Sequence, residues 1–201
     1  MSSLLRRSAG TFVVVALAAG SAACTHHTTP AASVSPSPSA SVAPPVPLSI
    51  RVTRVSGKLS AANASSLQSS VGATLDRYFD AAYLGGTYPR TDFSTALSLF
   101  PANLATQAKH DTVLLTNAAL GGSTQSVTAE VKTAYLSVFA PHNKPAGVSA
   151  RINLVYVDNR GDQPAREVTV SGRLMLTPTK SGSWRIFGYS ISRSTQSVKG
   201  S

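Results

Sequence analysis

Cysteine is nearly absent. Cys24 is the only one in 201 residues, so no disulfide can close within the chain. A long apolar run is also missing. The one run present, residues 12–19, is too short for a helix that spans a bilayer, which needs about 20 apolar residues. No second run follows, so the sequence predicts no transmembrane helix. Acids are scarce: 8 Asp and Glu stand against 18 Lys and Arg, for a formal net charge of +10. Arg6 and Arg7 account for two of those charges. The remainder, about +8, favours anionic partners such as lipid head groups, anionic cell-wall polymers or nucleic acid. Solubility alone is the competing reading of the same charge. Motifs for several chemistries are missing too. There is no Gly-x-Ser-x-Gly elbow, and no phosphate loop, dinucleotide fingerprint or zinc-ligand spacing. The expectation is therefore no cofactor, no metal and no catalytic residue. No repeat of 20–50 residues is visible.

What is present begins with residues 4–24. Arg6 and Arg7 give a positive start, an apolar core follows, and Gly20-Ser21-Ala22-Ala23 leads into Cys24. A charged start, a short apolar core and small residues before a cleavage point describe a secretory signal. The segment resembles the lipobox of bacterial lipoproteins, although Ser21 stands where leucine is usual. The resemblance implies cleavage before Cys24, diacylglycerol on its sulfur and acyl chains in the membrane. An ordinary signal peptide with a chance cysteine is the alternative. Arg6-Arg7 also raises twin-arginine export, but Ser8-Ala9-Gly10 lacks the apolar residues that route expects. An exported protein would seldom meet nucleic acid, so none is expected as a partner.

The expected organisation is a signal peptide at 1–23, the lipidated Cys24 with a linker to residue 47, one domain at 48–195 and a tail at 196–201. The linker alternates Pro30, Pro36, Pro38, Pro44, Pro45 and Pro47 with small residues. It has too little apolar surface to offset the entropy of ordering. His26-His27 supplies two metal ligands at best, so no metal site is expected there. About 150 residues remain, enough for one domain with a core.

Within the domain, Leu48, Ile50 and Val52 alternate with polar residues and predict a strand. Ser60 is placed to cap a helix. That helix carries Leu67, Val71, Leu75, Tyr78, Phe79, Ala82 and Tyr83 on one stripe, and Gly85-Gly86 ends it. Asp92 caps a short second helix, and Pro101 opens a third. The second half alternates with period two. Val127, Ala129 and Val131 lead one strand, and the phase shift to Ala134, Leu136 and Val138 suggests a bulge near Thr133. Further strands follow Val148–Tyr156, Val168–Leu176 and Trp184–Ile191, with a kink expected at Gly188. Four strands joined by short turns predict an antiparallel meander. The fold class is α+β, with an N-terminal strand and helices packed on one face of a four-stranded sheet.

Helices followed by a long sheet ending in Trp-Arg-Ile-Phe-Gly-Tyr resemble the cystatin-like or nuclear-transport-factor-2-like superfold. Residues 67–83 and 127–191 carry the likeness, and the strand at 48–52 departs from it. The resemblance implies a cone-shaped domain. It implies no activity, because the superfold hosts enzymes and non-enzymes alike.

Two groups of residues invite chemistry. Tyr78, Asp80, Tyr83, Tyr88 and Asp92 would form an acid–base pocket if they converged; core tyrosines and solvated acids are the plainer reading. Asp76 lies four residues before Asp80, with Arg77 between them. His110 and Asp111 are adjacent, and adjacent helical residues diverge, so they are not expected to pair. Arg151, Arg173 and Arg185 occupy outward phases on successive strands and suggest an anion-binding stripe across the open sheet face, interrupted by Glu130 and Glu167; a merely solvated face is the alternative. Lys132 and Arg193 are further candidates for it. The expected function is a membrane-anchored extracytoplasmic lipoprotein domain that binds a ligand or partner without catalysis. Its partners would be anionic head groups, a cell-wall polymer or a membrane protein. A small-molecule enzyme with a pocket between helices and sheet, and an envelope protein that binds anionic polymers, are the alternatives.

Overall fold

A computed structural model describes residues 45–198. The expected signal segment, Cys24, His26-His27 and the linker as far as residue 44 lie outside the described residues. Among those described, no helix is long and apolar enough to cross a membrane.

The domain is α+β. Strand β1 (Ser49–Gly57) leads to helix α1 (Ala61–Phe79), which runs on into a wider π turn at Asp80–Leu84. Three short helices follow: α2 (Ser94–Leu97), α3 (Ala102–His110) and α4 (Thr112–Leu115). Strands β2 (Ser126–Ala140), β3 (Gly147–Arg160), β4 (Gln163–Pro178) and β5 (Trp184–Ser197) follow. The sheet has five strands in the order β1-β2-β3-β4-β5. β1 lies parallel to β2, and the other neighbours are antiparallel. The sheet is therefore mixed and five-stranded, where the sequence suggested four antiparallel strands. The N-terminal strand joins the edge because Ile50 and Val52 can pack towards the helix side while Arg51 faces water.

Local chemistry sets the helix ends. Ser60 accepts from the Asn63 amide at 3.3 Å and caps α1. Asp92 Oδ1 accepts from the Ser94 amide at 2.8 Å, which starts α2. Asn143, in the β2–β3 connection, holds the start of α1 from outside. Its Oδ1 accepts from the Ser60 amide at 2.7 Å, and its carbonyl accepts from Asn63 Nδ2 at 2.9 Å.

The apolar stripe of α1 and one alternating phase of the strands form the core. Val71, Leu75, Leu136, Leu154, Val170 and Leu174 are fully buried in it. Each such side chain contributes about 1.5–3 kcal/mol of burial. Tyr78, Tyr83 and Tyr156 are buried as well, and their rings pack at centroid distances of 5.9 Å (Tyr78–Tyr83) and 6.1 Å (Tyr83–Tyr156). Their hydroxyls are all used. Tyr78 donates to the Leu115 carbonyl at 2.8 Å, Tyr83 to the Leu114 carbonyl at 3.0 Å, and Tyr156 to Asn117 Oδ1 at 2.8 Å.

Two of the four register shifts in the sheet bear on sequence expectations. In β2 the register shifts between Ala129 and Val131, so the bulge sits at Glu130, earlier than the expected Thr133. In β5 the shift falls between Ile186 and Gly188, close to the expected kink.

Candidate anion-binding surface

The helices cover one face of the sheet. On the other, Arg51 lies opposite Tyr135, Tyr135 opposite Arg151, Arg151 opposite Arg173, and Arg173 opposite Ser190. This is one row across five strands. With strands about 4.8 Å apart, Arg51 to Arg173 covers about 14 Å. The Arg151 guanidinium carbon lies 5.5 Å from the centre of the Tyr135 ring, within reach of a cation–π contact. Tyr135, Arg151, Asn153, Ser171, Gly172 and Arg173 border a hollow of about 330 Å³. Gly172 has φ 140°, and a Cβ there would meet the Ser190 carbonyl oxygen at 2.1 Å. The backbone conformation beside Arg173 thus requires glycine.

Like charges directly opposite one another destabilise a sheet. The ion pairs among the described residues are His110–Asp111 and Lys132–Asp76, so neither Arg151 nor Arg173 has a carboxylate partner there. Serine and asparagine fill the adjoining rows, with Ser137 opposite Ser149 and Asn153 opposite Ser171. Glu167 lies six residues along β4 from Arg173, about 20 Å by strand rise, and is bonded by Gln196. Glu130, at the β2 bulge, lies five residues from Tyr135, about 16 Å by strand rise, so neither acid interrupts the row.

Of the three arginines expected from sequence, Arg151 and Arg173 are cross-strand neighbours. Arg185 shares their face but lies opposite Thr177, four residues further along β4, about 13 Å away. Arg51 and Arg54 were missed. A register shift between Val52 and Arg54 brings Arg54 opposite Ser137 on the same face. The pairing of β1 with β2 is what reveals both, and no local pattern announces it. Three aromatic side chains share this face: Phe139 is 56% exposed, Phe187 49% and Tyr135 39%.

No protein-family model, curated protein or solved structure matches this chain.

Lys132 and Arg193 do not belong to the row. The bulge at Glu130 turns Lys132 towards the helices, where it is buried and pairs with Asp76. Arg193 lies opposite Val170, a core position, and its Nη1 donates to the Val113 and Thr116 carbonyls at 3.0 and 3.2 Å.

The tyrosine and acid group does not assemble into an acid–base pocket. Tyr78 and Tyr83 are core residues, and burial raises both phenols above their ordinary values. Tyr88 donates to the Tyr83 carbonyl at 2.6 Å. Asp92 precedes Phe93, which takes the N-cap position of α2 in place of the expected Asp92, and its carboxyl is held below the usual carboxylate range by its bonds from Ser94. Asp80 is exposed, and partial desolvation lifts its carboxyl while Lys132 pulls against that shift. Arg90 spends all three guanidinium nitrogens on the carbonyls of Asp92, Gly85 and Ala81, so it ties the loop rather than reaching outward.

The expectation that His110 and Asp111 diverge is overturned. Helix α3 ends at His110, and Asp111 leaves it with φ −92° and ψ 19°. That turn brings His110 Nδ1 to 2.8 Å from Asp111 Oδ1.

Proposed function

We propose that the chain is a membrane-anchored extracytoplasmic lipoprotein whose domain binds by its open sheet face. Cys24 carries the anchor, and Arg51, Arg54, Arg151, Arg173 and Arg185 meet the anionic head groups of the bilayer beneath it. The signal-like pattern of residues 4–24 supports the anchor. The observation that carries the binding role is the direct opposition of Arg151 and Arg173, with Arg51 across Tyr135 and no carboxylate partner for any of them among the described residues. Such a row costs stability when free and is relieved when anionic groups lie over it. Phe139 and Phe187 flank it as side chains suited to the boundary between head groups and acyl chains. The accompanying fold reading is a cystatin-like or nuclear-transport-factor-2-like domain. It is supported by one long helix followed by long antiparallel strands, with the helices on one face.

A basic residue near an anionic bilayer contributes about 1 kcal/mol. The test uses residues 45–201, which lack Cys24, and vesicles containing phosphatidylglycerol. Replacing Arg51, Arg151 and Arg173 by glutamine should weaken association roughly 100-fold at low salt and leave the melting temperature unchanged or higher. Equal association of wild type and variant would reject the reading.

A further inference from the structure

A second site lies on the opposite side of the sheet, where β5 passes the ends of α3 and α4. The Tyr189 hydroxyl donates to Asp111 Oδ2 at 2.8 Å. Gln107 Nε2 donates to the same oxygen at 2.7 Å, and His110 Nδ1 engages Oδ1. His110, Asp111 and Arg193 border a hollow of about 530 Å³ whose apolar wall includes Val113, Leu114 and Leu120. That volume falls within the range of small-molecule sites, about 300–1,000 Å³.

The polar groups select the ligand's charge. Both oxygens of Asp111 are already engaged, Oδ2 by Tyr189 and Gln107 and Oδ1 by His110. Arg193 has spent Nη1 on two carbonyls. Its Nε and Nη2 have no partner among the described residues. These two nitrogens form the side-on edge of the guanidinium, which grips a carboxylate through two parallel hydrogen bonds. The bond to Asp111 occupies Nδ1 of His110 and leaves Nε2 as the ring nitrogen able to meet a ligand.

We propose that this hollow binds a small monocarboxylate with an apolar body. The carboxylate sits on the Nε–Nη2 edge of Arg193, and the body lies against Val113, Leu114 and Leu120. This site is separate from the arginine row and does not depend on membrane binding.

The experiment is an NMR titration of the full chain with hexanoate, with hexanol as the uncharged control. Hexanoate should produce saturable shifts of the Val113, Leu114 and Leu120 amides and of the His110 ring, and hexanol should not. Arg193→Gln should weaken hexanoate binding roughly tenfold or more, the worth of a charge-assisted bond. Arg193 also ties β5 to α4, so a second variant guards against misfolding. Val113 is 58% exposed, and Val113→Glu should keep the fold while placing a repelling carboxylate at the rim, with a similar loss. No saturable shift in the wild type would overturn the proposal. So would equal shifts with hexanol, or wild-type affinity in Val113→Glu.

Discussion

Asp111 shows how one side chain ties the end of α3 to β5. Bonds from His110, Gln107 and Tyr189 hold its carboxyl down at about 2, against about 3.9 in an unfolded chain. A depressed carboxyl stabilises the fold above its unfolded value, and that contribution is lost as pH falls through the folded one. Stability should therefore drop between about pH 4 and pH 2. Thermal melts of Asp111→Asn should show a lower melting temperature at neutral pH and a flatter acid limb. The partner Tyr189 moves the other way: burial and the bond to Asp111 push its phenol up to about 12. Lys132 makes a different point. Its ammonium is buried, while Asp76 keeps 45% of its side chain exposed. Removing the carboxylate strands a buried charge, so Asp76→Ala should cost roughly 2 kcal/mol in denaturant unfolding. Lys132→Met should be near neutral or stabilising, since an apolar chain of similar size replaces an ion that is costly to desolvate. Neither role was legible from residue type. Lys132 reads as outward until the bulge is placed at Glu130, and His110–Asp111 reads as divergent until the helix is seen to end there.

At the scale of elements, short-range chemistry was readable and long-range pairing was not. The α1 stripe, its Ser60 cap and the irregularity near Gly188 all follow from residues close in sequence. The position of β1 does not. Its partner Tyr135 is 84 residues from Arg51, and parallel pairing leaves no turn between the strands to mark it. That placement is what adds Arg51 and Arg54 to the arginine face. Asn143 is another distant contact. With φ 62° it adopts a left-handed conformation that asparagine tolerates better than alanine, and its side chain accepts from the Ser60 amide. Asn143→Ala should lose both advantages, for about 1–2 kcal/mol in chemical denaturation. Asn143→Gly should recover part of that loss, because only the hydrogen bond is then missing.

Over the whole molecule, the two faces of the sheet divide the work. One face buries the tyrosines and leucines against the helices and gives stability. The other carries five arginines and three exposed aromatic rings. The outward phase of Arg151, Arg173 and Arg185 could be read from alternation alone, but their neighbours could not, because a row depends on register between strands. The orientation of the domain on a bilayer tests the central claim most directly. A bimane label at Ser137→Cys lies on the arginine face, and one at Ser65→Cys lies on the exposed side of α1. Both are placed in residues 45–201, which contain no other cysteine, and bound to phosphatidylglycerol vesicles carrying nitroxide lipids. The label at position 137 should be strongly quenched, and the label at position 65 should stay bright. Equal quenching at the two positions, or stronger quenching at position 65, would contradict the assignment of the open face to the membrane.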